Sequence, residues 1–197
     1  MTAAAITTGD VLDFWFLPPG HFQHGHYRLE WVRATPDFDE ELRRRFGAAV
    51  DAALAGGFVA WEATAAGALA RILLLDAFPR RLFADTPRTF TGDAEALAAA
   101  RRLLASGRDR ELPPLLRWFA YLPFEHAEAA AVQVESLALF QALHAEGGKP
   151  LCSALDYAER HRQVIARFGR FPQRNAILGR ESTAEEIEAL QQPGFFF

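Results

Sequence analysis

Arg167, Arg170, Arg174 and Arg180 fall within one short stretch, Arg167-Phe168-Gly169-Arg170-Phe171-Pro172-Gln173-Arg174-Asn175 with Leu178-Gly179-Arg180 close behind. Gly169 and Pro172 forbid a continuous helix there, so arginine forks, backbone N–H groups and the Asn175 amide can converge on a single anion or carboxylate. Phe168 and Phe171, interleaved with the arginines, can anchor the segment or stack on a planar ligand. The competing use of these guanidinium groups is internal pairing with Asp76, Glu125, Glu128 and Glu159. No glycine-rich phosphate loop or dinucleotide fingerprint accompanies them, so nucleotide binding has no support.

Two further groupings could do chemistry. Asp76 lies on the otherwise apolar turn Leu73-Leu74-Leu75-Asp76-Ala77-Phe78, which draws a carboxylate inward and demands a cation beside it. Arg80, four residues on, and an arginine of the 170s stretch are the candidates, so Asp76 is expected to be buried beside an arginine. Its role is either a helix-locking ion pair or a general base. Glu125-His126-Ala127-Glu128 sets two carboxylates three residues apart around an imidazole, a set that can shuttle protons or cap a helix start. His161 joins it if its helix faces His126. A metal site would call for His pairs at four-residue spacing or Glu-x-x-His units, which do not occur, so no metal or other cofactor is assigned. The loop histidines His21, His24 and His26, the helix-start Cys152 and the hydroxyls of Ser182 and Thr183 read as structural or incidental.

The elements that must position these groups read as helices throughout. Apolar residues recur at helical spacing, and no segment shows the sustained two-residue alternation of a strand. Val11, Leu12, Trp15 and Phe16 mark a first helix stopped by Pro18-Pro19-Gly20, and His21 to Ala34 is a loop. Thr35 before Pro36 is an N-cap, opening a helix with Phe38, Leu42, Phe46, Val50 and Ala53 inward up to Gly56-Gly57. A third helix carries Leu69, Ile72, Leu73 and Asp76 and ends near Pro79, and a fourth spans Asp93 to Ser106 with Gly107 at its C′ position. Leu115 to Tyr121 makes a brief helix that Pro123 interrupts. The run from Phe124 to His144 packs through Ala127, Ala131, Val134, Ala138 and Leu139 and ends at Gly147-Gly148. Pro150 opens a helix with Leu151, Leu155, Ala158 and Ile165 inward, which stops at Gly169. Ser182 with Glu185, or Thr183 with Glu186, is a capping box for a last helix over Ile187 and Leu190, and Phe195 to Phe197 fold back as a tail.

Half of the residues are apolar and the formal charge is −4. The chain can therefore bury one substantial core, and residues 1–197 are read as one all-α domain with the His21–Ala34 loop and the Phe195–Phe197 tail at its periphery. An acidic balance argues against nucleic-acid binding, and no apolar run reaches the length of a membrane span. With a single cysteine and no signal-peptide pattern, the expected location is the cytoplasm.

Taken in order, Asp13-Phe14-Trp15-Phe16, Leu73-Leu74-Leu75-Asp76-Ala77-Phe78-Pro79-Arg80, Tyr121-Leu122-Pro123-Phe124-Glu125-His126-Ala127-Glu128 and the Arg167 to Arg180 segment with Ser182-Thr183 and Glu185-Glu186 resemble the uncharacterised bacterial DUF924 family over almost the whole chain. The resemblance implies an all-helical, tetratricopeptide-repeat-like fold of antiparallel helix pairs and brings no activity with it. The chain departs from that family's usual wording at Ala77, Arg81, Ala127 and Gln173, where a polar group is altered or removed; if those groups touch a ligand, the ligand is a variant one or is bound less well.

Three functions follow as expectations. The first is binding of a small anionic molecule, or of an acidic peptide or protein, by Asp76, Arg80, Tyr121, Glu125, His126, Arg170, Arg174 and Asn175. The second is an enzyme in which His126 or Asp76 moves a proton while Arg170 and Arg174 steady negative charge. The third is a protein-interaction scaffold. An enzyme requires a closed pocket with a perturbed His or Asp, and a scaffold requires an open groove with exposed aromatics such as Trp15, Trp31 or Phe58.

Overall fold

A computed structural model describes residues 6–33, 35–148 and 151–192. The regular structure among them is helical: α1 (Thr8–Phe16), α2 (Pro36–Leu54), α3 (Ala65–Leu75), α4 (Ala77–Leu82), α5 (Asp93–Ala105), α6 (Pro114–Glu125), α7 (Ala130–Gly147), α8 (Cys152–Phe168) and α9 (Ala184–Leu190), with short 3-10 turns between several of them. No helix among the described residues is long and apolar enough to cross a membrane. α3 is apolar on every side and touches α1, α2, α4, α5 and α6, as a central helix must to bury its whole circumference. Its one charged residue, Arg71, is buried and is satisfied by the Gly57 carbonyl at 3.0 Å, by Glu95 at 2.9 Å and by Glu62. The core runs from Val11 to Ala158, and a small second cluster holds Val164, Ile165 and Phe171.

Most of the expected boundaries hold. α1 stops before Pro18, Gly107 and Gly169 take left-handed conformations after α5 and α8, and Thr183 with Glu186 closes the capping box of α9. Residues 21–33 of the expected loop are pinned to the body. Arg28 donates to the Phe14 and Trp15 carbonyls at 2.8 and 2.9 Å, and the Trp31 indole donates to the Trp15 carbonyl at 2.9 Å. Ala34, Pro150 and the Phe195–Phe197 tail lie outside the described residues.

Four expectations are corrected. The third helix ends at Leu75 rather than near Pro79, which sits buried in the first turn of α4. A proline ring clashes with the carbonyl four residues back and supplies no N–H to it, so Pro79 acts at Leu75 and breaks the helix at Asp76. Pro123 does not interrupt α6, which runs on to Glu125; helical neighbours on several sides outweigh the lost hydrogen bond. α7 buries Val132, Gln133, Ser136, Phe140 and Leu143 and exposes Ala131, Val134 and Ala138. Its apolar residues are spread around the cylinder, so no stripe marks its inner face. Thr35 occupies the N-cap position of α2, but its hydroxyl is buried and accepts no helix N–H.

Candidate functional site

The break at Asp76 is where the site begins. A continuous helix would bond this turn's backbone internally. Here the Asp76 carbonyl instead accepts from Arg80 Nη1 at 3.0 Å, and the same nitrogen lies 2.7 Å from Asp76 Oδ1. Arg80 then grips Asp93 with both terminal nitrogens, at 2.9 and 3.1 Å. Asp93 is the first residue of α5, and Gly92 before it sits so close to Leu75 that a Cβ would run into the Leu75 carbonyl oxygen. Only glycine lets α5 start there.

His126 caps the C-terminus of α6. The turn that follows is held by the buried Gln133 amide, which donates to the carbonyls of Glu125 and Ala127, both at 2.8 Å, and of Phe124 at 3.2 Å. His126 Nδ1 faces both oxygens of Asp76, at 2.9 and 3.0 Å. An ionised carboxylate can only accept, so Nδ1 carries the proton and Nε2 keeps the lone pair. α8 does face this point: the His161 ring lies 6.2 Å from that of His126, and its Nδ1 meets the Tyr157 carbonyl at 2.8 Å and Glu125 Oε1 at 3.4 Å. Arg174 closes the cluster, donating to the His126 carbonyl at 2.9 Å, approaching Asp93 at 3.4 Å and lying between the rings of Phe90 and Phe171.

Burial raises the pKa of Asp76, but Arg80, His126 and Arg174 outweigh it and hold the carboxyl below its ordinary value. For Glu125 the compensation falls short. Burial and the neighbouring Asp76 charge, opposed by Arg80, push its pKa up to about 8, so at neutral pH it is a carboxylic acid. Burial and Arg80 lower His126 against the pull of Asp76, and burial with His126 lowers His161 to about 3. Arg174 falls to about 10 through burial and Arg80, and so remains a cation. The result is two carboxylates, Asp76 and Asp93, facing two guanidinium groups, with two neutral imidazoles and a protonated acid beside them.

Two clefts meet at this cluster. One, of about 270 Å³, is walled by Trp15, Trp31, Trp118, Phe119 and Leu122 and ends on Arg80, Glu125, His126 and His161. The other, of about 320 Å³, shares Arg80, His126 and His161 and is completed by Phe90, Gln173 and Arg174. Ala77 and Arg81 also line the first cleft, so three of the four noted departures from the family wording fall on cleft walls.

Of the expected site residues, the structure brings together Asp76, Arg80, Glu125, His126 and Arg174. Tyr121 is elsewhere, its hydroxyl donating to Asp109 at 2.6 Å. Arg170 grips the buried Glu186 with two nitrogens at 2.7 and 2.8 Å, and Asn175 links Ser182, Glu186 and Arg180. Arg180 in turn grips Glu128 at 2.6 and 3.0 Å, so most of the arginine stretch serves its own anchoring. Sequence reasoning passed over Asp93, noted there only as the start of the fourth helix, and the aromatic wall, whose members lie on α1, α6 and the turn Leu29–Trp31. Among the described residues no group of three or more His, Cys, Asp or Glu side chains could hold a metal ion.

Comparison with protein families matches residues 11–194 to one described as "Bacterial protein of unknown function (DUF924)". Comparison with curated proteins gives no match. Among solved structures, a protein of unknown function from Agrobacterium tumefaciens is 37% identical, with a TM-score of 0.81 over 93% of this chain and 96% of that one.

Proposed function

Because the chain belongs to the bacterial DUF924 family, whose function is unknown, we propose from the site itself that it is an acid–base enzyme acting on a carbonyl-bearing small molecule held in the aromatic cleft. The observation that carries this reading is His126, clamped through Nδ1 by buried Asp76 and standing in the wall common to both clefts. An Asp–His pair of this kind fixes the imidazole tautomer and steadies the imidazolium that forms when Nε2 takes a proton. Among the described residues no Ser or Cys lines the aromatic cleft, so the nucleophile in this reading is water. Its oxygen bonds to the carbonyl carbon as its proton passes to His126 Nε2, and the oxyanion is steadied by Arg80. The bond to the leaving group then breaks, the leaving group takes the Glu125 proton, and the proton on His126 resets Glu125 by way of solvent. A base and an acid whose environments push their pKa values apart are the pair such chemistry needs. Arg170 has no part in it.

Reading the helix succession as tetratricopeptide-like belongs to the same proposal, supported by the packing of α6 on α7 and α7 on α8. A scaffold role has less behind it, since Trp15 is buried and Trp31 and Phe58 pack half-buried on the core. The test is hydrolysis of 4-nitrophenyl acetate near neutral pH. Saturable turnover that falls about a hundredfold in His126→Gln and in Asp76→Asn is expected. A non-saturating rate that His126→Gln leaves unchanged would overturn the reading.

A further inference from the structure

Two residues that line the aromatic cleft each carry a buried polar atom that the protein does not use. Trp15 Nε1 and Glu125 Oε2 have no hydrogen-bond partner among the described residues, although Trp15 is only 1% and Glu125 3% exposed. Buried polar atoms are almost always paired, so two orphans in one cleft wall call for an explanation. Phe119 and Leu122, between them along α6, leave an apolar floor about 9 Å long at 1.5 Å per residue from Phe119 to Glu125. The charges that face this space are of one sign. Arg80 and Arg81 line it, paired with Asp76, Asp93 and Asp39, which are not part of the lining, and among the described residues Glu125 is the only carboxyl lining it. At its Glu125 end the wall therefore offers a carboxylic O–H and the positive charge of Arg80, which suit an acceptor-rich, anionic head, and at its far end an indole N–H in an otherwise apolar surround.

We infer that the cleft recognises small carboxylic acids with a single-ring or comparably sized apolar body, the carboxylate meeting Arg80 and Glu125 and the body lying along Phe119 and Leu122 toward Trp15. The volume agrees: about 270 Å³ is nearly twice the ~150 Å³ that accommodates benzene, which leaves room for a ring and a short acid chain. This inference rests on the proposed small-molecule site and adds the class of compound: the acid is what water addition to the corresponding acyl derivative would release.

The test titrates the full chain with 3-phenylpropionate, 3-phenylpropanamide and 3-phenylpropan-1-ol at neutral pH, following tryptophan fluorescence. The acid is expected to bind at least about tenfold more tightly than the alcohol, since the alcohol leaves donors unpaired. Glu125→Gln, which keeps a neutral donor, retains that preference, and Glu125→Leu, which removes it, loses most of it. Equal binding of all three compounds, or tighter binding of the alcohol, overturns the carboxylate assignment while leaving the cleft as a small-molecule site. Binding of none of the three overturns both.

Discussion

Glu125 holds a proton that its sequence context does not announce, and this has a measurable consequence. Its pKa is about 8 in the folded chain and about 4.3 in an unfolded one. Between these values the folded state keeps a proton that the unfolded state has released, so stability falls as pH rises, by up to about 1.4 kcal/mol per pH unit. Glu125→Gln cannot ionise. Urea unfolding at mildly acidic and mildly alkaline pH is expected to show the variant gaining on the parent as pH rises; a constant difference would mean that Glu125 is ionised throughout. His161 works in the opposite direction. With its pKa lowered to about 3, its contribution is complete above about 6.5 and is lost as pH falls toward 3, a limb that Glu125→Gln leaves in place and His161→Gln removes. The arginines also divide by role. Arg170→Ala strips the buried Glu186 of its bidentate partner and should lower the urea midpoint of the free protein, by less than a fully buried pair would because Arg170 faces solvent. It should not change turnover of 4-nitrophenyl acetate. Arg80→Met, which keeps bulk and loses the charge, should lower that turnover at least about tenfold by removing the cation beside the oxyanion.

Elements decide where these residues stand, and the sequence shows that unevenly. Gly92→Ala would drive a methyl group into the Leu75 carbonyl and displace the start of α5 with Asp93. A loss of about 3 kcal/mol or more by denaturant unfolding is expected, against no more than a few tenths for Gly47→Ala, where a Cβ meets nothing. The segment from Gly169 to α9 has only Val164, Ile165 and Phe171 as an apolar anchor and is otherwise held by Arg180 on Glu128, Arg170 on Glu186 and Arg174 on Asp93. Glu128→Gln should therefore speed amide hydrogen exchange in residues 170–190 and leave α3 unchanged, and unchanged exchange in that segment would show that the ion pairs do not hold it. Helix ends marked by glycine, proline or a capping box were legible because those residues act on their own backbone. The break at Asp76 was misplaced by three residues because proline acts one turn upstream of itself. The inner face of α7 was illegible because its apolar residues do not form a stripe, and only the polar Gln133, pointing inward to hold the turn after His126, marks it.

At the scale of the molecule, a central apolar helix is surrounded by others, and the cluster forms where the α3–α4 break, the start of α5, the end of α6, the middle of α8 and the arginine stretch converge. Burial of Asp76 beside an arginine was readable from a single turn. The Asp76–His126 contact joins residues fifty positions apart and could not be read from spacing, and neither could an aromatic wall drawn from three elements. The central claim is that this assembly presents a neutral imidazole with a free Nε2 lone pair to a small-molecule cleft. Nitrogen-15 NMR of the histidine side chains near neutral pH, with His126 assigned by His126→Gln, tests it most directly. The account predicts the Nδ1–H tautomer for His126, converting in Asp76→Asn to a mixture of tautomers. An imidazolium, or a proton resident on Nε2 in the parent protein, would contradict it.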